Sequence, residues 1–238
     1  MSAAIDLLVA TAPDWFTVRC RTGNKVRGDA AHGPWAAAPL DLTFLSAPCP
    51  IVRETQPGTR FPAFCPERHI QGDHTFCVGL GRRPVDSLRR ARAWWADLDQ
   101  YLACQAIAEA TRLWPPQNAL DHGPAGLYHQ RALVLAERLG IMDAYLEAYF
   151  DQPSWITSTG LTKLGERKVR LTGPIVARAP AVKGGRKARL LLLELVMAER
   201  ARRKALKAYK DLIATGTQTC CGAMRDCGFP KAVTLAAE

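Results

Sequence analysis

The chain of 238 residues contains no run of about 18 consecutive apolar residues, so no membrane-spanning helix is expected. Its first residues, MSAAIDLLVATAPDWF, lack the basic start and long apolar centre of a secretory signal, and export is not expected either. A glycine-rich phosphate loop, an HExxH helix and a GxSxG elbow are all missing. That removes the sequence basis for P-loop nucleotide hydrolysis, zincin proteolysis and serine-hydrolase chemistry. Neither an internal repeat nor a low-complexity tract is present, which argues against a solenoid or a disordered chain.

What is present is an ordinary globular composition, 48% hydrophobic and 23% charged, with enough length to bury a sizeable core. Cysteine is plentiful, with eight at positions 20, 49, 65, 77, 104, 220, 221 and 227. Without a secretion signal these read as thiols or metal ligands in a reducing cytoplasm, not as disulfides. The net charge of +10 is concentrated late in the chain. From Gly160 to Lys210 there are 15 Lys and Arg against three Asp and Glu. Such a face fits an acidic protein or nucleic acid, and equally a merely solvated helix surface. No motif gives the stretch from Lys183 to Lys210 nucleic-acid specificity.

Hydrophobic periodicity divides the chain. Ile5 to Val9 is a short apolar run, Trp15 to Cys20 reads as a strand, and Thr22 to Gly28 reads as a turn around Gly23-Asn24. Leu40 to Phe44 alternates as a strand, and Pro48, Pro50, Pro57 and Pro62 keep the following stretch from long regular structure. A three- or four-stranded antiparallel meander fits these pieces. From Val85 the period becomes helical, with Leu88, Ala91, Trp95, Leu98, Tyr101 and Leu102 on one face. Asp86 or Ser87 would cap the start of this helix, and Trp114-Pro115-Pro116 would end it. Cys104 within it reads as buried and inert. A second helix is predicted up to Leu139, with Tyr128, Ala132, Leu135 and Leu139 inward and Gly140 as its C-cap, then a short one over Met142 to Phe150. Residues 151–185 read as a basic linker or arm. A long amphipathic helix then runs from Arg186 to Ala214. Leu192, Leu195, Val196, Ala201, Ala205, Tyr209 and Leu212 trace its apolar side, and Arg200, Arg202, Arg203, Lys204, Lys207 and Lys210 its basic side.

The stretch from Phe61 to Gly81, FPAFCPERHIQGDHTFCVGLG, concentrates the chemistry. Cys77 closes a short apolar run and is followed by Gly79 and Gly81, which allow close backbone approach; His69 and His74 lie shortly before it. A thiol there is either a nucleophile or a small buried hydrophobe. His122 and His129 flank the second helix and read chiefly as hydrogen-bonding or capping groups. In the tail, Cys220, Cys221 and Cys227 form a CC-x5-C pattern. Zinc takes about four Cys or His ligands, so a site would need a fourth from elsewhere, such as Cys20, Cys49 or Cys65.

In order, the chain offers a strand, a proline-interrupted loop, a short strand, a His-containing turn, Cys77 and a Trp-bearing helix that opens at Trp94 and Trp95. This order resembles the ubiquitin-conjugating (E2) fold family, in divergent, bacterial form, over roughly Ile5 to Gly123. The family's His-Pro-Asn turn is not present as such: Ile70 and Gln71 follow His69, and no residue is assigned to its Asn. The resemblance implies an α+β, E2-like (UBC-type) antiparallel meander with helices over 1–150, joined through 151–185 to a long basic helix and Cys-rich tail over 186–238. It implies Cys77 as the thioester-forming nucleophile, His69 as organiser of the loop and Asp73 as the residue that orients an incoming amine. No cofactor is required for such transfer, and a structural Zn would sit at Cys220, Cys221 and Cys227. The implied activity is transfer of a ubiquitin-like protein in a bacterial conjugation pathway serving antiphage defence. Its partners would be that carrier, an E1-like activating enzyme and a second E2-like subunit. The alternative is a catalytically inactive, zinc-binding E2-like protein that docks on the conjugation machinery.

Overall fold

The computed structural model describes residues 3–46, 49–79, 84–115, 118, 121, 123–150, 154–157, 160–163, 169–172, 185–215, 219–225 and 227. The chain divides into two compact units. One comprises Met1–Ala119 with Lys210–Glu238, and the other comprises Leu120–Tyr209. These limits fall elsewhere than the expected boundaries at 150 and 185.

The first unit is a mixed α/β structure. Helix α1 (Ala3–Ala10) precedes a four-stranded antiparallel meander, β1 (Phe16–Thr22), β2 (Lys25–Ala30), β3 (Leu40–Ser46) and β4 (Pro50–Glu54), in the order β1-β2-β3-β4. The sequence reading of Thr22 to Gly28 as a turn is corrected here, and the apolar run Ile5 to Val9 gains a conformation. The apolar run is helical, with Ile5 and Leu8 buried. The turn is confined to Gly23-Asn24, with Gly23 at φ +52°, and Lys25 onward pairs with both neighbouring strands. Strand β2 was missed because its charged residues face solvent while Val26, Gly28 and Ala30 alternate inward, a pattern with little apolar signal. The prolines shorten regular structure after β3 without abolishing it: Pro50 opens β4, which pairs with β3.

Helix α2 (Leu88–Thr111) packs on the meander. Its N-cap is Ser87, whose hydroxyl accepts from the Arg90 amide at 3.4 Å, and Arg112 ends it in a left-handed conformation. Phe16 and Phe44 from the sheet meet Trp94 and Trp95 from the helix at ring-centroid distances of 5.0–5.4 Å, and the Trp95 indole donates to the Leu8 carbonyl at 3.0 Å. Leu88, expected inward, is exposed. Cys104 is buried, as read.

In the second unit, α3 (Ala125–Leu139) ends at Gly140 in the left-handed conformation the C-cap required, and α4 (Met142–Phe150) follows. Strands β5 (Gly160–Lys163) and β6 (Val169–Thr172) form an antiparallel hairpin inside the stretch expected to be a linker. Helix α5 (Gly185–Thr215) starts in this unit, and its last turns belong to the first. Its buried side is Ala188, Leu192, Leu195, Val196, Ala198 and Ile213; Leu212, expected inward, is exposed. Arg202 does not join the basic solvent face. It is buried, donating to Glu199 at 2.6–2.7 Å and pairing with Asp121. Tyr128 on α3 is likewise exposed, not inward. Among the described residues no helix is long and apolar enough to cross a membrane.

Candidate functional site

Cys77 is placed by a short ladder built off the open edge of β4. The Phe76 amide donates to the Val52 carbonyl at 2.8 Å, Phe76 bridges to Ile70, and Ile70 bridges to Cys65. The Cys77 amide then donates to the His69 carbonyl at 2.8 Å. The Val52 carbonyl at the sheet edge thus finds a partner in the 65–77 segment, and Cys77 comes to rest half-buried. Its Sγ lies 3.9 Å from the Gly79 carbonyl oxygen.

The turns in this segment are held from beneath by α2. The short 3-10 turn Pro66–Arg68 ends at His69, which adopts φ +54°. Arg68 is buried and donates to the Gln105 side-chain oxygen at 2.7 Å. The Arg68 carbonyl accepts from Gln105 Nε2 at 2.7 Å and from the Tyr101 hydroxyl at 3.2 Å. Tyr101 also stacks on Phe76 with centroids 5.0 Å apart. Burial holds the Tyr101 hydroxyl well above its usual pKa, so it serves as a neutral donor. The His69 ring packs against Trp114 at 4.7 Å and is itself buried. The next turn, Gln71 to Thr75, is an Asx turn: Asp73 Oδ1 accepts from the Thr75 amide at 3.1 Å and hydroxyl at 2.6 Å. His74 Nδ1 lies 2.8 Å from the Ala63 carbonyl oxygen.

Cys77 opens onto a cavity of about 710 Å³ between the β4 edge and α2. Its wall includes Gln71, Val78, Gly79, Arg89, Trp94 and Asp97 as well as Cys77. Of the three residues expected to do chemistry, Cys77 is on this wall. His69 contributes its carbonyl to the Cys77 amide and packs its ring on Trp114. Asp73 does not line the cavity, and its carboxylate closes the Asx turn. Two wall residues escaped the sequence reading. Gln71, the second residue after His69, supplies a carboxamide where no counterpart to the family's Asn was assigned. Asp97 reaches the cavity from α2; a Cβ added to Gly79 would stand 3.3 Å from its Oδ2. The signal for Gln71 was its spacing from His69, whereas Asp97 carried none, since it lies 20 residues beyond Cys77 on another element. His122 and Gly81 lie outside the described residues.

The tail cysteines are brought to the same segment. Cys220 Sγ is 3.8 Å from Cys65 Sγ, and Cys227 Sγ is 3.2 Å from Cys220 Sγ. The sulfurs of Cys65, Cys220 and Cys221 lie within 4.8 Å of one another. Hydrogen bonding to Cys220 and Cys221 pushes the Cys65 thiol up. Hydrogen bonding to Cys221 raises Cys220, against a lowering contact with Cys65, whereas hydrogen bonds from Cys220 and then Cys65 lower Cys221.

No curated protein and no solved structure matches the chain. Residues 22–116, which run from the end of β1 through the Cys77 segment and α2, match the family model described as Prokaryotic E2 domain, and this part of the chain supports a bacterial E2-like family.

Proposed function

We propose that the protein carries a ubiquitin-like protein on Cys77 as a thioester and passes it to an amine, on a UBC-type scaffold in a bacterial conjugation pathway of the kind used in antiphage defence. The observation that supports this reading is the position of Cys77 on a cavity wall, inside the segment that matches the E2 domain and beside a carboxamide and a carboxylate.

The chemistry needs an accessible thiolate, donors for the oxyanion and an acceptor for the amine proton. The Cys77 thiolate attacks the carbonyl carbon of the carrier's C-terminal thioester on an activating enzyme. The tetrahedral intermediate collapses, the old carbon–sulfur bond breaks, and the activating enzyme's sulfur leaves with the electron pair. In the second step an amine attacks the Cys77 thioester, Cys77 leaves as thiolate, and the amine's proton is taken up by a carboxylate. Gln71 supplies the donor for the oxyanion. Asp97 fits the carboxylate role better than Asp73, whose acceptor oxygen is committed to Thr75. His69 holds the loop through its carbonyl and its packing on Trp114, so it is a positioning residue.

The experiment is a charging and discharge assay with the cognate activating enzyme, carrier and ATP. Wild type should form an adduct that dithiothreitol removes, Cys77→Ser an adduct that resists it, and Cys77→Ala none. Asp97→Asn should charge normally and discharge more slowly onto free lysine. Charging that survives Cys77→Ala overturns the assignment. A wild type that never charges leaves the inactive docking partner as the reading.

A further inference from the structure

Cys65 and Cys220 are 155 residues apart in sequence, both buried, with their sulfurs 3.8 Å apart. Cys221 joins them within 4.8 Å, and Cys227 stands 3.2 Å from Cys220. A tetrahedron of thiolates around zinc, with Zn–S of about 2.3 Å, has edges of about 3.8 Å. A disulfide requires about 2.05 Å, and all eight cysteines are free thiols here. Backbone geometry supports the same arrangement. The Ala223 amide donates to Cys221 Sγ at 3.4 Å, the kind of contact that orients and stabilises a metal-bound thiolate. The tail is held against the end of α2 by Arg112 Nε donating to the Ala223 carbonyl at 2.7 Å and by the Arg225 amide donating to the Arg112 carbonyl at 2.9 Å. Three sulfurs, those of Cys65, Cys220 and Cys221, therefore meet on an anchored backbone, and Cys227 approaches the set through Cys220.

We propose that Cys65, Cys220, Cys221 and Cys227 together bind one structural Zn²⁺ ion through four thiolates. Soft sulfur donors in fourfold array select zinc over magnesium or calcium, and a closed four-protein-ligand site leaves no position for substrate, so its role is to fasten. What it fastens is the C-terminal tail to the residue that begins the Pro66–Arg68 turn. From Cys65 the backbone bridges lead to Ile70 and on to Phe76, immediately before Cys77. The site stands independently of any thioester chemistry at Cys77.

Full-length protein purified without chelator should contain about one zinc per chain by plasma mass spectrometry. Cobalt exchange should give the intense visible d–d bands of a tetrahedral centre with sulfur-to-cobalt charge transfer. Cys65→Ser and Cys227→Ser should each weaken zinc affinity by roughly tenfold or more, while Cys20→Ser and Cys49→Ser should leave it unchanged. Because a serine variant can unfold, the wild type provides a second measurement. Chelation should lower its Tm and open the 219–227 segment to protease, and added zinc should restore both. The proposal is overturned by metal-free wild-type protein, by Cys65→Ser that keeps full zinc affinity, by non-reducing peptide mapping that finds these cysteines disulfide-bonded, or by an unchanged Tm after complete zinc removal.

Discussion

Gln71 and Cys77 face one cavity because two tight turns, each with a non-glycine residue in the left-handed region, fold the segment back on itself. His69 has φ +54° and His74 φ +67°. Such conformations are unfavourable for L-residues and persist only where the surroundings fix them. Here the His69 carbonyl is tied to the Cys77 amide, and the His74 ring sits 2.8 Å from the Ala63 carbonyl. If Gln71 donates to the oxyanion, Gln71→Ala should slow thioester formation by roughly 100-fold, the cost of one such donor, with the protein's Tm little changed. Single-turnover charging kinetics at saturating carrier measure this. An unchanged rate would remove Gln71 from the chemistry and leave backbone amides as the donors.

At the level of the strand pair, β1 and β2 slip by one residue between Val18 and Cys20, leaving Arg19 as an extra residue beside Gly28, the partner of Val18. Arg19 reaches across to pair with Asp29. Gly28 is required by space: a Cβ there would stand 2.4 Å from both the Phe16 ring and the Thr17 carbonyl oxygen. Because Phe16 packs on Phe44 and Trp95, the clash would be carried into the core under α2. Gly28→Ala should cost roughly 1–3 kcal/mol, the usual price of overpacking, seen as a lower urea midpoint. A stability equal to wild type would mean the bulge absorbs the added methyl.

For the molecule as a whole, acid sensitivity should come from the second unit. Glu199 is buried beside Arg202 and Arg203, and Arg202 also pairs with Asp121. Burial alone would raise the Glu199 carboxyl, but hydrogen bonds and charge from Arg202, then Arg203, outweigh it and hold the group below its ordinary range. A depressed carboxylate contributes stability that is fully present above the unfolded-state pKa and is lost as the pH falls through the folded one. His129 adds to the same trend. Its ring is buried and accepts from the Asp121 amide at 3.3 Å, and burial lowers its pKa, so its stabilisation as a neutral ring is complete above the ordinary His pKa and declines as the pH falls below it. Thermal stability should therefore fall in two stages on acidification, first below the ordinary range of histidine and again below that of glutamate. Glu199→Gln should lose roughly 3–5 kcal/mol at neutral pH, because Arg202 is left buried and half-paired, and should show a smaller second stage. A variant as stable as wild type would mean that the second unit relaxes around Arg202.

The sequence by itself determined the elements whose signals are local. β-Branched and aromatic residues placed β1, period-2 alternation placed β3, period 3.6 placed α2 to α5, Ser87 and Gly140 marked helix ends, and the order of strand, turn, Cys77 and Trp-bearing helix carried the E2 resemblance. Tertiary structure decided what depends on distance in space. It drew Strand β2 from polar residues through pairing on both sides, and buried Arg202 because Glu199 and Asp121 compensate its charge. It brought Asp97 to the cavity and left Asp73 in a turn. It also carried Cys65 to Cys220 across 155 residues, a meeting that no spacing rule can express because chain separation says nothing of which surfaces the core brings together.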